Sequence, residues 1–411
     1  MEPVWAAGRL GTSVRIAVVD DGLEIGHEDL CANVVSGASY DYTTGDADPT
    51  GGAHGTAVAG VAAARDNTVG VRGAAPRAGL VGYNLLAAQN STNETDAMTR
   101  DAAANSISSN SWGAPDSQGT LDAPASTWVS AVDTGLSTGR SGRGLIYTWA
   151  AGNGAPTDNS NYDGQANYYG IMAIAALNDK GQKASYSEPG ANLWISTYAG
   201  EFCTTHTITT TDRTGDIGIN TASTTNDYSN KNYTKCFNGT SSATPLASGV
   251  IALVLEANPN LGWRDVRQVI AKSARQNDAA DGDWQTNAAG IRVNHKYGFG
   301  VIDANAAVNL AATWTNVGAL VTSPTYSTSP ATPIPDGSGT STPVFGAEVP
   351  SAITITGSGI GKIEFVEVVL TSNHTYSGDL EVVLSKAGSV DSRLAEAHVC
   401  RNASTGQSMN C

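Results

Sequence analysis

The sequence predicts an α/β protein, a mostly parallel sheet with helices on both faces, followed by a shorter β-rich region. Short β-branched runs alternate with small-residue or amphipathic helical stretches between residues 14 and 310, and the composition then shifts to Thr, Ser, Pro and Gly over 317–350. Residues 14–19 form the first strand and close on Asp20-Asp21-Gly22; residues 56–65 are mostly small and helical, following His54. Residues 80–85 are strand-like, 144–151 is an apolar run ending in Gly152-Asn153-Gly154, and 171–176 is again β-branched. A buried helix covers 245–257, and an amphipathic one runs from 262 to 274 after the Asn258-Pro259-Asn260 break. Beyond the linker, 352–356, 362–371 and 379–385 read as strands separated by turns. Three or four strands are few for an independent sandwich, so the chain is expected to end inside this second domain.

Composition narrows the function classes. Hydrophobic residues are 40% and charged ones only 15%, which excludes a coiled coil, a charged disordered chain and a collagen-like repeat. The longest apolar runs, 145–151 and 249–255, fall far short of the roughly 18–20 residues of a membrane span, so a soluble chain is expected. A net charge of −15 disfavours nucleic acid and anionic membranes as partners and attracts cationic ligands. Cys31, Cys203, Cys236, Cys400 and Cys411 lack the spacing of a zinc site; Cys203 with Cys236 and Cys400 with Cys411 can staple loops, leaving Cys31 odd. The start, Met1-Glu2-Pro3-Val4-Trp5, lacks the basic-then-apolar pattern of a signal peptide, so a secreted protein would appear here already trimmed.

Four residues carry the chemistry. Asp20 sits at the carboxyl end of a strand, where open α/β sheets place their sites. His54-Gly55-Thr56 opens a helix, and Gly239-Thr240-Ser241-Ser242-Ala243-Thr244-Pro245 places a serine at the start of another. A serine hydroxyl becomes a useful nucleophile when an imidazole removes its proton, and the imidazole needs a carboxylate to fix its tautomer. Ser241 would attack, His54 would carry the proton, Asp20 would orient His54, and the Asn153 amide would donate to the oxyanion.

In this order, Asp…His…Ser, the motifs resemble the subtilisin-like serine proteases. Asp20-Asp21-Gly22-Leu23-Glu24, Ser111-Trp112-Gly113-Ala114-Pro115-Asp116, Asp163-Gly164, Tyr186-Ser187-Glu188 and the stretch 295–304 resemble the kexin and furin branch, the proprotein convertases. The fold implied is the subtilisin-like sheet over 1–314, with 315–411 similar to that branch's β-sandwich P domain, Thr375-Tyr376-Ser377-Gly378-Asp379-Leu380 being its most recognisable stretch.

The resemblance implies a secreted or periplasmic, calcium-dependent endopeptidase, monomeric, acting on polypeptides at basic residues and preferring paired ones. Ser111, Trp112 and Gly113 would line the substrate path, Asp163 would floor the pocket for the residue before the scissile bond, and Asp116 would wall it. Asp21 would face the next residue upstream, favouring a second basic side chain, and Asp122 would meet a basic residue further upstream. One calcium would use Asp29, Asn67 and the carbonyls of Val69 and Val71; a second would use Asp116, Asp158 and Glu188. A pro-region or accessory folding protein is a further expected partner. Gly51-Gly52 and Thr99 depart from the polar or acidic residues of furin-like members, and 204–235 is a Thr/Asn-rich insertion that either shields the cleft or binds an accessory protein. Two alternatives remain: a broad-specificity subtilisin-type protease, and a catalytically silent binding protein on the same fold.

Overall fold

The computed structural model describes all residues except 204–205, 339–343, 387–388, 403–404, 406 and 410–411. Its centre is a six-stranded sheet, β1 (Arg15–Val19), β2 (Gly79–Tyr83), β3 (Ile107–Asn110), β4 (Ile146–Ala150), β5 (Ile171–Leu177) and β6 (Leu193–Tyr198). The strands run parallel in the order β2-β1-β3-β4-β5-β6. The chain therefore reverses its winding at β1, and a crevice opens there at the carboxyl ends of β1 and β3.

Every residue of β4 and β5 is buried, the continuous apolar pattern of strands covered on both faces. One face is covered by α2 (Ala53–Ala63), α5 (Thr240–Ala257), α6 (Trp263–Ser273) and α7 (Ala304–Ala312), in one core with Val18, Ile146 and Ile174. The short helix α1 (Glu2–Ala6) adds Val4 to this core. On the other face α3 (Ser91–Thr99) and α4 (Ser126–Gly142) enclose Trp128, Tyr147 and Trp149. Helix α5 is long and apolar enough to cross a membrane, yet it is the central core helix, with Val250–Leu255 fully buried. Truncating a residue such as Leu253 there would cost about 2–5 kcal/mol.

The sequence reading missed α3, α4, α7, β3 and β6. In α4 the reason is visible: Ser130, Thr134 and Thr138 each donate a side-chain hydrogen bond to the carbonyl four residues earlier, so a Ser/Thr-rich stretch satisfies its own hydroxyls while Trp128, Val132 and Leu136 face inward.

Residues 204–205 of the insertion lie outside the described ones; the rest, with the two residues after it, forms a hairpin, β7 (Ile208–Thr211) paired antiparallel with β8 (Tyr233–Phe237). It leans on the helix that carries His54: the Thr210 and Thr211 hydroxyls donate to the carbonyls of Ala57 and Thr56 at 2.6 and 2.7 Å. A Cβ at Gly60 would meet both threonines, so glycine allows this approach. Cys203 and Cys236 form a disulfide across its base. Cys31 is a free exposed thiol, and Cys411 lies outside the described residues.

Two further strands, β9 (Gln285–Thr286) and β10 (Arg292–Val293), form a small ribbon. After α7 the chain holds little regular structure: β11 (Val382–Leu384) pairs with β12 (Ser392–Ala395), and β13 (Cys400–Arg401) with β14 (Ser408–Met409). The strands expected at 352–356 and 362–371 do not form. Ile353, Ile355, Ile363, Val366, Val369 and Leu370 stand exposed, and without a paired strand their backbone has no ladder to join.

The tail nevertheless grips the body. Tyr162 stacks on His398 at 4.6 Å and its hydroxyl bonds the backbone of Glu396, while His398 Nε2 lies 2.6 Å from the Gly119 carbonyl. Arg264 pairs with Glu364.

Candidate active site

Asp20 follows β1 and is fully buried, and its Oδ1 accepts from the Asp21 amide and lies 2.8 Å from His54 Nδ1. Its Oδ2 is buried with no partner among the described residues. Burial alone would lower the His54 pKa; the Asp20 charge and hydrogen bond outweigh it and raise it to about 9.

Asp21 is drawn to the amino end of α2, where its carboxylate accepts from the backbone N–H groups of His54 and Gly55 at 3.2 and 2.7 Å. A Cβ on Gly52 would fall on this carboxylate, so the Gly51-Gly52 turn makes the contact possible. Burial, then the neighbouring Asp20, pushes the Asp21 pKa up. The side chain fixes the helix that presents His54.

Ser241 opens α5 beside Gly239, whose φ of 82° suits glycine. Pro245 has no N–H, so the Ser241 carbonyl four residues earlier loses its helical donor. The Ser111 hydroxyl supplies one at 3.0 Å, and the Ser241 hydroxyl donates to the Ser111 carbonyl at 3.2 Å. This reciprocal pair ties the serine loop to the end of β3. His54 and Ser241 line one cleft of about 700 Å³ with Asn153.

Asn153 is held from two sides. Its Oδ1 accepts from the Thr240 amide and hydroxyl at 2.8 and 2.9 Å, which leaves Nδ2 as the free end of the amide; its backbone N–H donates to Asp116 at 2.7 Å. Tyr186 supports the same loop by accepting from the Gly239 N–H. Phe237, whose ring meets His54 edge-on at 5.4 Å, went unread in the sequence, and Thr240 and Tyr186 stood in its motifs with no role assigned. Only its position next to Ser241 could have flagged Thr240.

Behind the 153–154 backbone amides, which donate to Asp116 and Glu188, the structure brings Asp116, Asp158, Asp163 and Glu188 within electrostatic reach of one another, and Asp122 within reach of Asp163. Asp163 is 7% exposed and no hydrogen bond or ion pair involves its side chain among the described residues. Glu188 is 1% exposed; Oε1 accepts from the Gly154 amide, and Oε2 is buried without a partner among the described residues. Burial first, then mutual repulsion among Asp116, Asp158 and Asp163, drives the Glu188 pKa well above the carboxylate range, and Asp163 is raised for the same reasons. Asp158 is better served, accepting from the amides of Gln118, Gly119 and Asn159, although burial still raises it. Asp122 is exposed and its backbone bridges to that of Asp163. Trp112 packs against Trp149, and Gly113 is exposed beside them.

Asp29, Asn67 and Val71 meet in one loop, but its oxygens are already engaged: Asp29 accepts from Asn67 Nδ2 and from the Val71 amide at 2.8 Å each, and Asn67 Oδ1 accepts from the Val69 amide. No group of three His, Cys, Asp or Glu side chains converges at metal-binding distance among the described residues. The unpartnered Glu188 oxygen is the feature that fits a cation.

An imidazole seated on a buried carboxylate, with a helix-start serine in the same cleft, defines the class: the pattern of the Subtilase family matches residues 11–300, and the chain belongs to that family. It is 34% identical to Drosophila melanogaster neuroendocrine convertase 2 over 94% of this chain and 58% of that protein, and 35% identical to human furin over 77% and 39%. Its relatives are thus kexin- and furin-type proprotein convertases. The chain spans between about two-fifths and three-fifths of the length of these curated relatives. Among solved structures it resembles the Aeromonas sobria serine protease in its complex with the chaperone (ORF2), at a TM-score of 0.74 and 33% identity over 80% of this chain and 66% of that one.

Proposed function

We infer that this chain is a serine endopeptidase that cleaves polypeptides on the carboxyl side of Arg or Lys. The observation that carries the reading is the 2.8 Å His54–Asp20 contact in the same cleft as Ser241, together with a buried acidic recess whose Asp163 has no ion pair among the described residues. Residues 1–314 are read as the catalytic domain and 315–411 as part of a P domain.

The Ser241 hydroxyl turns from the Ser111 carbonyl toward His54, loses its proton to the imidazole and bonds to the scissile carbonyl carbon. Asp20 holds Nδ1–H, so Nε2 is the basic nitrogen, and its charge stabilises the imidazolium. The oxyanion takes the Asn153 amide and the Ser241 N–H; in subtilisin, a protease of the same family, losing such a donor costs about 2.7–4 kcal/mol. His54 then returns the proton to the leaving amine, and water repeats the sequence to release the acyl group.

The recess selects the substrate. An uncompensated buried carboxylate is costly, so Asp163 favours a residue that brings a guanidinium or ammonium. Calcium is the cofactor that the unpartnered Glu188 oxygen best fits; Asp116 and Asp158, which do not converge with it at metal-binding distance here, would complete the site, and the bound ion would neutralise the carboxylates. At Asp29, Asn67, Val69 and Val71 the calcium reading rests on resemblance alone. Because Asp21 is committed to the α2 amides, selectivity at the second residue upstream should be loose, a step toward the broad-specificity reading. Secretion and a folding partner are supported by relatives described as extracellular and chaperone-bound.

The test combines a fluorophosphonate with two fluorogenic peptides. Labelling at Ser241 and faster hydrolysis after Lys-Arg than after Ala-Phe are expected. Absent labelling would favour a silent binding protein, and equal rates a broad protease.

A further inference from the structure

We propose that the β7–β8 hairpin and the disulfide at its base build a second, uncharged subsite on the leaving-group side of Ser241, which selects an apolar or aromatic residue immediately after the scissile bond. This rests on the endopeptidase reading above. The cleft of about 700 Å³ that holds His54, Asn153 and Ser241 is otherwise lined by Tyr186, Phe202, Ile219, Phe237 and small neighbours, with no Asp, Glu, Lys or Arg among them. The acidic recess behind the 153–154 backbone amides has the opposite chemistry.

Direction follows from the proton path. His54 donates to the leaving amine, and Phe237 contacts the His54 ring edge-on while lining this cleft, so the cleft borders the amine and the residues attached to it. A substrate that places its basic side chain in the acidic recess must continue across Ser241 into this wall.

Three of the wall's side chains, Phe202, Ile219 and Phe237, come from the hairpin and the disulfide at its base. The Cys203–Cys236 disulfide joins the immediate neighbours of Phe202 and Phe237, bringing two aromatic rings to one cleft, and Ile219 comes from the loop between β7 and β8. Thr210 and Thr211 fix the hairpin to α2, so it is preformed against the helix that bears His54. Phe202 is 57% exposed, an apolar surface that a substrate side chain would cover.

The experiment uses internally quenched peptides identical through Lys-Arg and carrying Phe, Leu, Gly or Asp directly after the cleaved bond. The purified chain should cleave the Phe and Leu peptides about tenfold faster in kcat/KM than the Gly and Asp peptides, within the range one apolar contact supplies. Phe202→Ser should shrink that ratio at least threefold, whereas a merely structural role would slow all four peptides alike and leave the ratio. Cleavage of all four within threefold would overturn this subsite and leave the endopeptidase intact. Cleavage of none would overturn both.

Discussion

Two sets of carboxylates flank Asn153, and they meet their charge differently. Asp20 and Asp21 sit among donors: three backbone amides and the imidazole serve the pair that orients His54 and its helix, and only Asp20 Oδ2 has no partner among the described residues. Asp163 and Glu188 are poorer in donors: Glu188 has the Gly154 amide on Oε1 and nothing on Oε2, and Asp163 has no side-chain hydrogen bond among the described residues. The first set is a finished device that works on the protein's own groups; the second is stable only when something positive arrives. The catalytic set should therefore respond to mutation regardless of ligand, and the recess should respond to cations.

Breaking the first set gives the largest effect. Asp20→Asn should lower kcat about 10⁴-fold by leaving the imidazole in the wrong tautomer. It should also move the pH–rate profile down toward the ordinary imidazole value, because the charge that raises His54 is gone. A loss of less than tenfold would remove Asp20 as the group that orients His54.

The recess should be next. Asp163→Asn should lower kcat/KM for an Arg substrate by about 2–5 kcal/mol, the range for removing one partner of a desolvated charge pair. Its effect on a Leu substrate should be small; equal losses would contradict the pocket.

Metal removal sharpens the contrast through pH. Asp163 and Glu188 have native pKa values raised above 3.8 and 4.5, so the native state holds protons that the unfolded chain releases. Their contribution is fully present below about pH 4 and is lost as pH rises through the native values, each tenfold difference in proton affinity between the two states being worth about 1.4 kcal/mol. In chelator, Tm should fall from pH 5 to pH 8, and millimolar calcium should restore more at pH 8. A chelated protein with flat Tm over this range would remove the cation from the account.

The smallest effect tests the clamp between the serine loop and β3. Ser111→Ala leaves the Ser241 carbonyl without its donor and should cost about 1–3 kcal/mol of stability by denaturant titration.

Much of this was legible in the sequence, because the polar motif residues fall at strand and helix ends that apolar runs already mark. Asp20 closes β1 and His54 opens α2, so chain order and local pattern placed them. What escaped was set by contacts between distant segments. Nothing around Thr240 announces that it holds Asn153, 87 residues away. Nor does Asp21, read as facing substrate, show by its neighbours that the α2 amides claim it. The tail strands failed for a related reason: β-branched runs such as 362–371 announce a strand only when a partner strand is present.

The most direct test of the central claim replaces the guanidinium alone. Peptides differing only in Arg or its neutral isostere citrulline before the cleaved bond have the same shape, so their kcat/KM ratio reads the recess charge. The account predicts at least a hundredfold preference for Arg, about 2.7 kcal/mol; a ratio near one, with Ser241 still labelled, would contradict it.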